Sequence, residues 1–214
     1  MDASRGLSRT RPAEILRSKL MMVEGEEEVK FFTALSKHLG ITDVQVESYN
    51  GKGNLSSTLK ALPKRSGFGR VVSLGIERDA DDHPDRASQS VITALRNAGL
   101  PVPPSELDPV DGPPCVAFLI MPGNGRRGAL EDLCLEAVAA DPGMNCVNAF
   151  FDCLDTAGCA QPGSMPKARV HAFLASREAP DLRLGEAAAK GYWPWENGSL
   201  DHVKQFLQLV AKQG

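Results

Sequence analysis

"LMMVEGEEEVKFF", residues 20–32, puts four glutamates where an apolar run stops, and apolar residues then resume at Val29, Phe31 and Phe32. The run "KLMMV" (19–23) is short, apolar and followed at once by a glycine turn, the pattern of a buried strand. From residue 26 the spacing becomes helical through Val29, Phe32, Leu35 and Leu39, and Gly40 closes the helix. Glu26, Glu27 and Glu28 suit the first turn of that helix, whose N-terminal end carries partial positive charge. Glu24 lies before the glycine, at the strand end, and the helix does not account for it.

The same alternation repeats outward from this unit. "VQVESY" (44–49) reads as a second strand, "RVVSLGIE" (70–77) as a third and "PPCVAFLIM" (113–121) as a fourth. Between and after them, "LSSTLKAL" (55–62), residues 84–97 and "ALEDLCLEAVAA" (129–140) read as helices. Four strand–helix units predict an α/β fold: a mainly parallel four-stranded sheet with helices on both faces. Residues 143–190 show helices and loops without a convincing strand, and 199–212 form an amphipathic closing helix with Ser199 as its expected N-cap. The expected organisation is a flexible basic leader (1–17), an α/β domain (18–140) and a helical extension (141–214) packed on the same core.

With 214 residues, 42% of them hydrophobic, the chain is long enough for one sizeable core, and its net charge of −3 excludes a uniformly basic nucleic-acid coat while allowing a local basic path. No run approaches the ~20 apolar residues that cross a bilayer, and the leader has no apolar signal core. The five cysteines, Cys115, Cys134, Cys146, Cys153 and Cys159, form no C-x-x-C pair and stand among apolar residues, so buried free thiols in a reducing cytoplasm are expected.

In open parallel sheets ligands bind beyond the carboxyl ends of the strands. Glu24 ends the first strand there. The third ends in "GIERDADDHPD", where Glu77, Asp79 and Asp81 alternate and share one side if the extended conformation persists. If the two strands are neighbours, Glu24 faces Asp79 and Asp81. Two carboxylates about 4 Å apart repel by ~4 kcal/mol at an effective dielectric of 20, so such a group calls for a cation. Oxygen donors without histidine or thiolate suit Mg²⁺ or Mn²⁺. The alternative for "DADD" is a solvated loop that caps the next helix.

A glutamate after the first strand with Asp-x-Asp after the third resembles the Toprim superfamily, here as Glu24-Gly25 and Asp79-Ala80-Asp81. The closest resemblance is to the overcoming-lysogenization-defect (OLD) nucleases and small stand-alone Toprim-like proteins. Glu28 fills the place of an acidic residue one helical turn after the first glutamate, Glu131 in "GALEDL" that of the Leu-Glu after the last strand, and Lys167 in "MPKARVHAFLAS" that of a lysine before a late helix. The resemblance implies Mg²⁺- or Mn²⁺-dependent phosphoryl transfer on nucleic acid, DNA or RNA, most simply as a nuclease. It implies Glu24, Asp79, Asp81 and Lys167 as catalytic residues and Glu24, Glu28, Asp79, Asp81 and Glu131 as the metal shell. Glu24 has a further possible role as general acid or base, and Glu77 as an outer ligand.

Lys52 in "NGKGN", with Arg126 and Arg127 in "GNGRRG", are candidate phosphate contacts, as is the cluster Lys60, Lys64, Arg65 and Arg70. "GNGRRG" fits G-x-G-x-x-G, but it does not follow the first strand and no acidic strand end comes about 20 residues on, so dinucleotide binding is not expected. A haloacid-dehalogenase phosphatase is disfavoured because its hydroxyl residue after the second aspartate is His83 here. Trp193 and Trp195 are expected to dock the closing helix rather than stack on bases. Two rival functions stay open: a non-catalytic metal- or nucleic-acid-binding module serving a separately encoded ATPase, and a small-molecule phosphoesterase.

Overall fold

A computed structural model describes residues 14–212. Its elements run β1 (Lys19–Val23), α1 (Glu26–His38), β2 (Val44–Ser48), α2 (Leu55–Ala61), β3 (Ser73–Asp79), α3 (Pro84–Ala98), β4 (Cys115–Met121), α4 (Leu130–Ala137), α5 (Pro142–Thr156), α6 (Met165–Ala175), α7 (Leu184–Ala189) and α8 (Asp201–Lys212). All strand pairs are parallel and the order is β2-β1-β3-β4. The chain therefore leaves β1 to one side, returns, and continues on the other. β1 and β3 flank the point where the order reverses, the place where open α/β sheets leave a crevice for ligands.

Alternation along the strands divides the core. Met21 and Val23 of β1 and Ala117, Leu119 and Met121 of β4 point to one face, where they meet Phe31, Phe32 and Leu35 of α1 and apolar residues of α4 to α8. Leu20, Met22, Leu74, Ile76, Phe118 and Ile120 point to the other, against α2 and α3. The C-terminal helices share the first face with the strands: Phe206 and Val210 of α8 stand so close to β3 that a Cβ on Gly75 would lie 3.1 and 2.6 Å from them. Trp193 is 1% exposed, stacks on Phe173 and donates its indole N–H to the Leu184 carbonyl at 3.0 Å. Trp195 packs its ring edge on Phe31. Among the described residues no helix is long and apolar enough to cross a membrane.

Several expected boundaries move. β3 begins at Ser73 rather than residue 70, because Phe68–Arg70 close a 3₁₀ turn after Gly67. Gly67 has φ +89° and passes so near Ile15 that no side chain fits, which pins the chain just before the strand. The strand also runs on past residue 77 to include Asp79. Ser199 is not the N-cap of the last helix. Asn197 accepts the Ser199 N–H at 2.9 Å and caps a 3₁₀ turn, Gly198–Leu200, that feeds α8 at Asp201. The five thiols are unpaired, but only Cys115 and Cys134 are buried; Cys146, Cys153 and Cys159 are exposed. The leader lies outside the described residues up to residue 13, whereas Ile15 is buried and donates its N–H to the Ser66 carbonyl at 3.2 Å.

Candidate functional site

The carboxyl ends of β1 and β3 carry the acidic residues to one rim. Glu24 leaves β1 with its backbone fully engaged. Its N–H donates to Glu77 Oε2 at 3.1 Å, and its carbonyl accepts from the Gly51 N–H at 2.8 Å and the Ser48 hydroxyl at 3.1 Å. Glu24 Oε1 accepts the Lys52 N–H at 3.2 Å, and Oε2 is buried without a hydrogen-bond partner. The turn after β2 thus wraps the first glutamate, and Gly51 supports it with φ +94°. Gly25 has a different purpose, since its φ is an ordinary extended −142°. A Cβ there would lie 2.7 Å from Glu28 Oε2, so the missing side chain makes room for the Glu28 carboxylate to lean back from α1.

Asp79 is the last residue of β3, and its Oδ1 accepts the N–H of Leu130, the first residue of α4, at 3.2 Å. Asp81 reaches the rim by another route than strand alternation. It has φ +50°, has left the strand, and forms a two-way backbone pair with Gly128 at 2.9 and 2.8 Å. Its Oδ2 takes the Lys52 ammonium at 2.6 Å, an exposed ion pair. Gly128, at φ +126°, passes against Asp132, whose Oδ2 accepts the Ala129 N–H at 2.9 Å. Asp132 therefore caps the start of α4. Glu131 faces Lys167 Nζ at 3.7 Å, and Lys167 is 65% exposed.

An open cleft of about 660 Å³ lies over this rim, lined among others by Glu24, Asp79, Asp81, Arg127, Glu131 and Lys167. A smaller one of about 290 Å³ continues from Glu131 and Lys167 to His171 and Arg183. Arg126, the third candidate phosphate contact, turns from the cleft to Glu136, at 2.6 Å.

The electrostatics register the crowding. Burial, then the charges of Glu28, Glu24, Glu131 and Asp81, holds the Asp79 carboxyl well above the usual aspartate range. Burial also raises Glu28, with Glu131 and Glu24 adding to it against the opposing bond from its own amide. Glu77, fully buried, is pushed well above its usual range by burial first and then by Asp79 and Glu28. Lys52 is held above its ordinary value by its hydrogen bond to Asp81. The donors are hard oxygens throughout, yet among the described residues no three His, Cys, Asp or Glu side chains already converge on a point that could hold a metal ion.

Tyr49 and Arg78 belong to this neighbourhood and were not singled out in the sequence. Tyr49 is buried, and its hydroxyl donates to the Glu77 carbonyl at 3.0 Å. Burial and the Glu77 charge hold that phenol far above its ordinary value. Arg78 points to the opposite face of β3 from Glu77 and Asp79, with Nε and Nη1 buried and unpartnered. Tyr49 carries no local pattern, because the Glu77 carbonyl it meets is brought to it by another strand.

The fold and the rim define an α/β protein with a carboxylate-lined cleft at the switch point of a parallel sheet. The family model described as "Protein of unknown function (DUF3226)" matches residues 18–212, and the chain belongs to that family. It is similar in structure to the C-terminal region of the Xanthomonas campestris pv. campestris OLD protein, with TM-score 0.46 and 15% identity over 92% of this chain and 95% of that one. It is also similar to the C-terminal region of the Burkholderia pseudomallei OLD protein, with TM-score 0.42 and 13% identity over 91% of this chain and 89% of that one. No curated protein matches the chain.

Proposed function

We propose that the chain is a Toprim-type nuclease that cleaves phosphodiesters of DNA or RNA and depends on Mg²⁺ or Mn²⁺. The observation that carries this reading is the cleft over the strand ends lined by Glu24, Asp79, Asp81 and Glu131, with Glu28 near enough for its charge to act on Asp79. The residues fit a hard dication: the donors are carboxylate oxygens, and Glu24 Oε2 is buried with nothing to bind. Of the cations near the rim, Lys52 on Asp81 and Lys167 beside Glu131 are exposed and lie at its edges, Arg127 lines the open cleft, and Arg78 points to the opposite face of β3 from Asp79.

Glu24, Glu28, Asp79, Asp81 and Glu131 would hold the ion or ions. A bound dication lowers the pKa of coordinated water and offsets charge on a phosphodiester. Lys167, exposed on the α6 side of the cleft, would take a non-bridging phosphate oxygen, as a fixed positive group does where charge develops. Lys52 and Arg127 would hold flanking phosphates. Glu24, whose backbone is anchored by three hydrogen bonds, would hold or move a proton through its carboxylate where it does not bind the ion.

The test is incubation of purified protein with single- and double-stranded DNA and with RNA, in Mn²⁺, Mg²⁺ or chelator. Metal-dependent cleavage that Asp79→Ala abolishes is the expected result. Nucleic-acid binding without cleavage would replace the reading with that of a binding module. Turnover of nucleotides but not polymers would replace it with a phosphoesterase.

A further inference from the structure

Glu77 lies one layer beneath the rim, pointing to the same face of β3 as Asp79. It pairs in register with Leu119 of β4, and its own exposure is 0%. Oε2 accepts the Glu24 N–H at 3.1 Å, whereas Oε1 is buried with no partner. The charges acting on it most strongly are those of Asp79, Glu28 and Glu24, all acidic. The Tyr49 hydroxyl reaches the Glu77 carbonyl and not its carboxylate. Holding the Glu24 amide requires a single acceptor, which a glutamine would supply without a buried charge. A second oxygen without a partner, buried beside acidic groups, calls for a proton or a cation, and a carboxylate oxygen can take either.

We propose that Glu77 Oε1 is the innermost ligand of the dication shared by Glu24 and Asp79. This rests on the metal-dependent reading above. Glu77 then has two roles through its two oxygens: one fixes the backbone of Glu24, and the other reaches the ion that Glu24 binds. Occupancy of the ion and the position of Glu24 are coupled through one side chain. Asp79 and Glu77 belong to one strand face, so both side chains are on the side of β3 from which the ion would be held.

The test is calorimetric titration of Mn²⁺ into chelator-stripped wild-type protein and the variants Glu77→Gln, Glu77→Asp and Asp79→Asn, each checked for native circular dichroism. Glu77→Gln keeps the acceptor for the Glu24 N–H and removes the charge. Glu77→Asp keeps the charge and withdraws it by one methylene. Both are expected to weaken Mn²⁺ binding at least tenfold, as Asp79→Asn does. If whichever of the two Glu77 variants folds binds within twofold of wild type while Asp79→Asn is weakened tenfold, Glu77 is not a ligand and the metal reading stands. If wild-type protein takes up no Mn²⁺ at millimolar concentration, both fail.

Discussion

Replacing Asp79 by asparagine should stabilise the metal-free protein, and by an amount that depends on pH. Asparagine keeps an oxygen for the Leu130 N–H, now at 3.2 Å, and removes the charge that burial and four neighbouring carboxylates disfavour. Because the folded-state pKa of Asp79 is raised, folded protein retains a proton that unfolded protein releases above the ordinary value of 3.8. The stability contributed by this group is therefore complete below that value and lost as pH rises through the folded pKa. While the folded protein keeps the proton, the loss is about 1.4 kcal/mol per pH unit for one group. Asp79→Asn escapes it, so its advantage over wild type should open above about pH 4, grow with that slope, and level off once folded Asp79 ionises. Saturating Mn²⁺ should reverse the order. Wild type gains ~2.7 kcal/mol at a hundredfold excess over its dissociation constant, and the variant gains little. Urea denaturation followed by the fluorescence of buried Trp193 and half-buried Trp195, in chelator from pH 4.5 to 8.5 and again with Mn²⁺, measures both effects. A variant that is destabilised by the same amount at every pH, with the same response to Mn²⁺ as wild type, would refute the reasoning.

Three further outcomes follow from local geometry. Gly25→Ala sets a methyl 2.7 Å from Glu28 Oε2, and should displace that carboxylate and weaken Mn²⁺ binding in calorimetry while costing only ~1 kcal/mol in urea denaturation. Lys52→Met removes the partner of Asp81 in an exposed pair, so urea stability should change by less than about 1 kcal/mol. In the cleavage assay the same variant should bind nucleic acid more weakly with a shallower salt dependence. Phe206→Ala removes a fully buried ring by which α8 packs under β3, and should cost ~3–5 kcal/mol by urea denaturation.

The parallel sheet was legible because β1, β3 and β4 are short apolar runs and β2 alternates, each followed within a few residues by a glycine or acidic stop, and Glu24 stood out as the acid that a helix terminus does not explain. Asp79 was legible for the same reason, with its strand boundary displaced. Val71 and Val72 continue the apolar pattern, and nothing local shows that Gly67 must pass against Ile15. Asp81 reached the rim for a reason the alternation did not contain: a positive φ and a backbone pair with Gly128 turn it there. Glu77 read as the same kind of residue as Asp79, because burial depends on which strands flank β3, and sequence order does not set spatial order. Ser199 and Asn197 both match N-cap chemistry, and the choice between them rests on the 3₁₀ turn that precedes α8. The exposed cysteines lie on α5 and just beyond it, where Met144, Val147 and Phe151 form the face that turns inward.

The central claim is that carboxylates from separate elements are gathered at the strand ends to share a dication. Crystals grown in chelator and then soaked in Mn²⁺, with diffraction collected at the manganese absorption edge, test it most directly. An anomalous peak is expected between the carboxylates of Glu24 and Asp79, within direct coordination distance of an oxygen of each. Diffracting, Mn²⁺-soaked crystals with no peak at that rim, or with manganese bound only elsewhere, would contradict it.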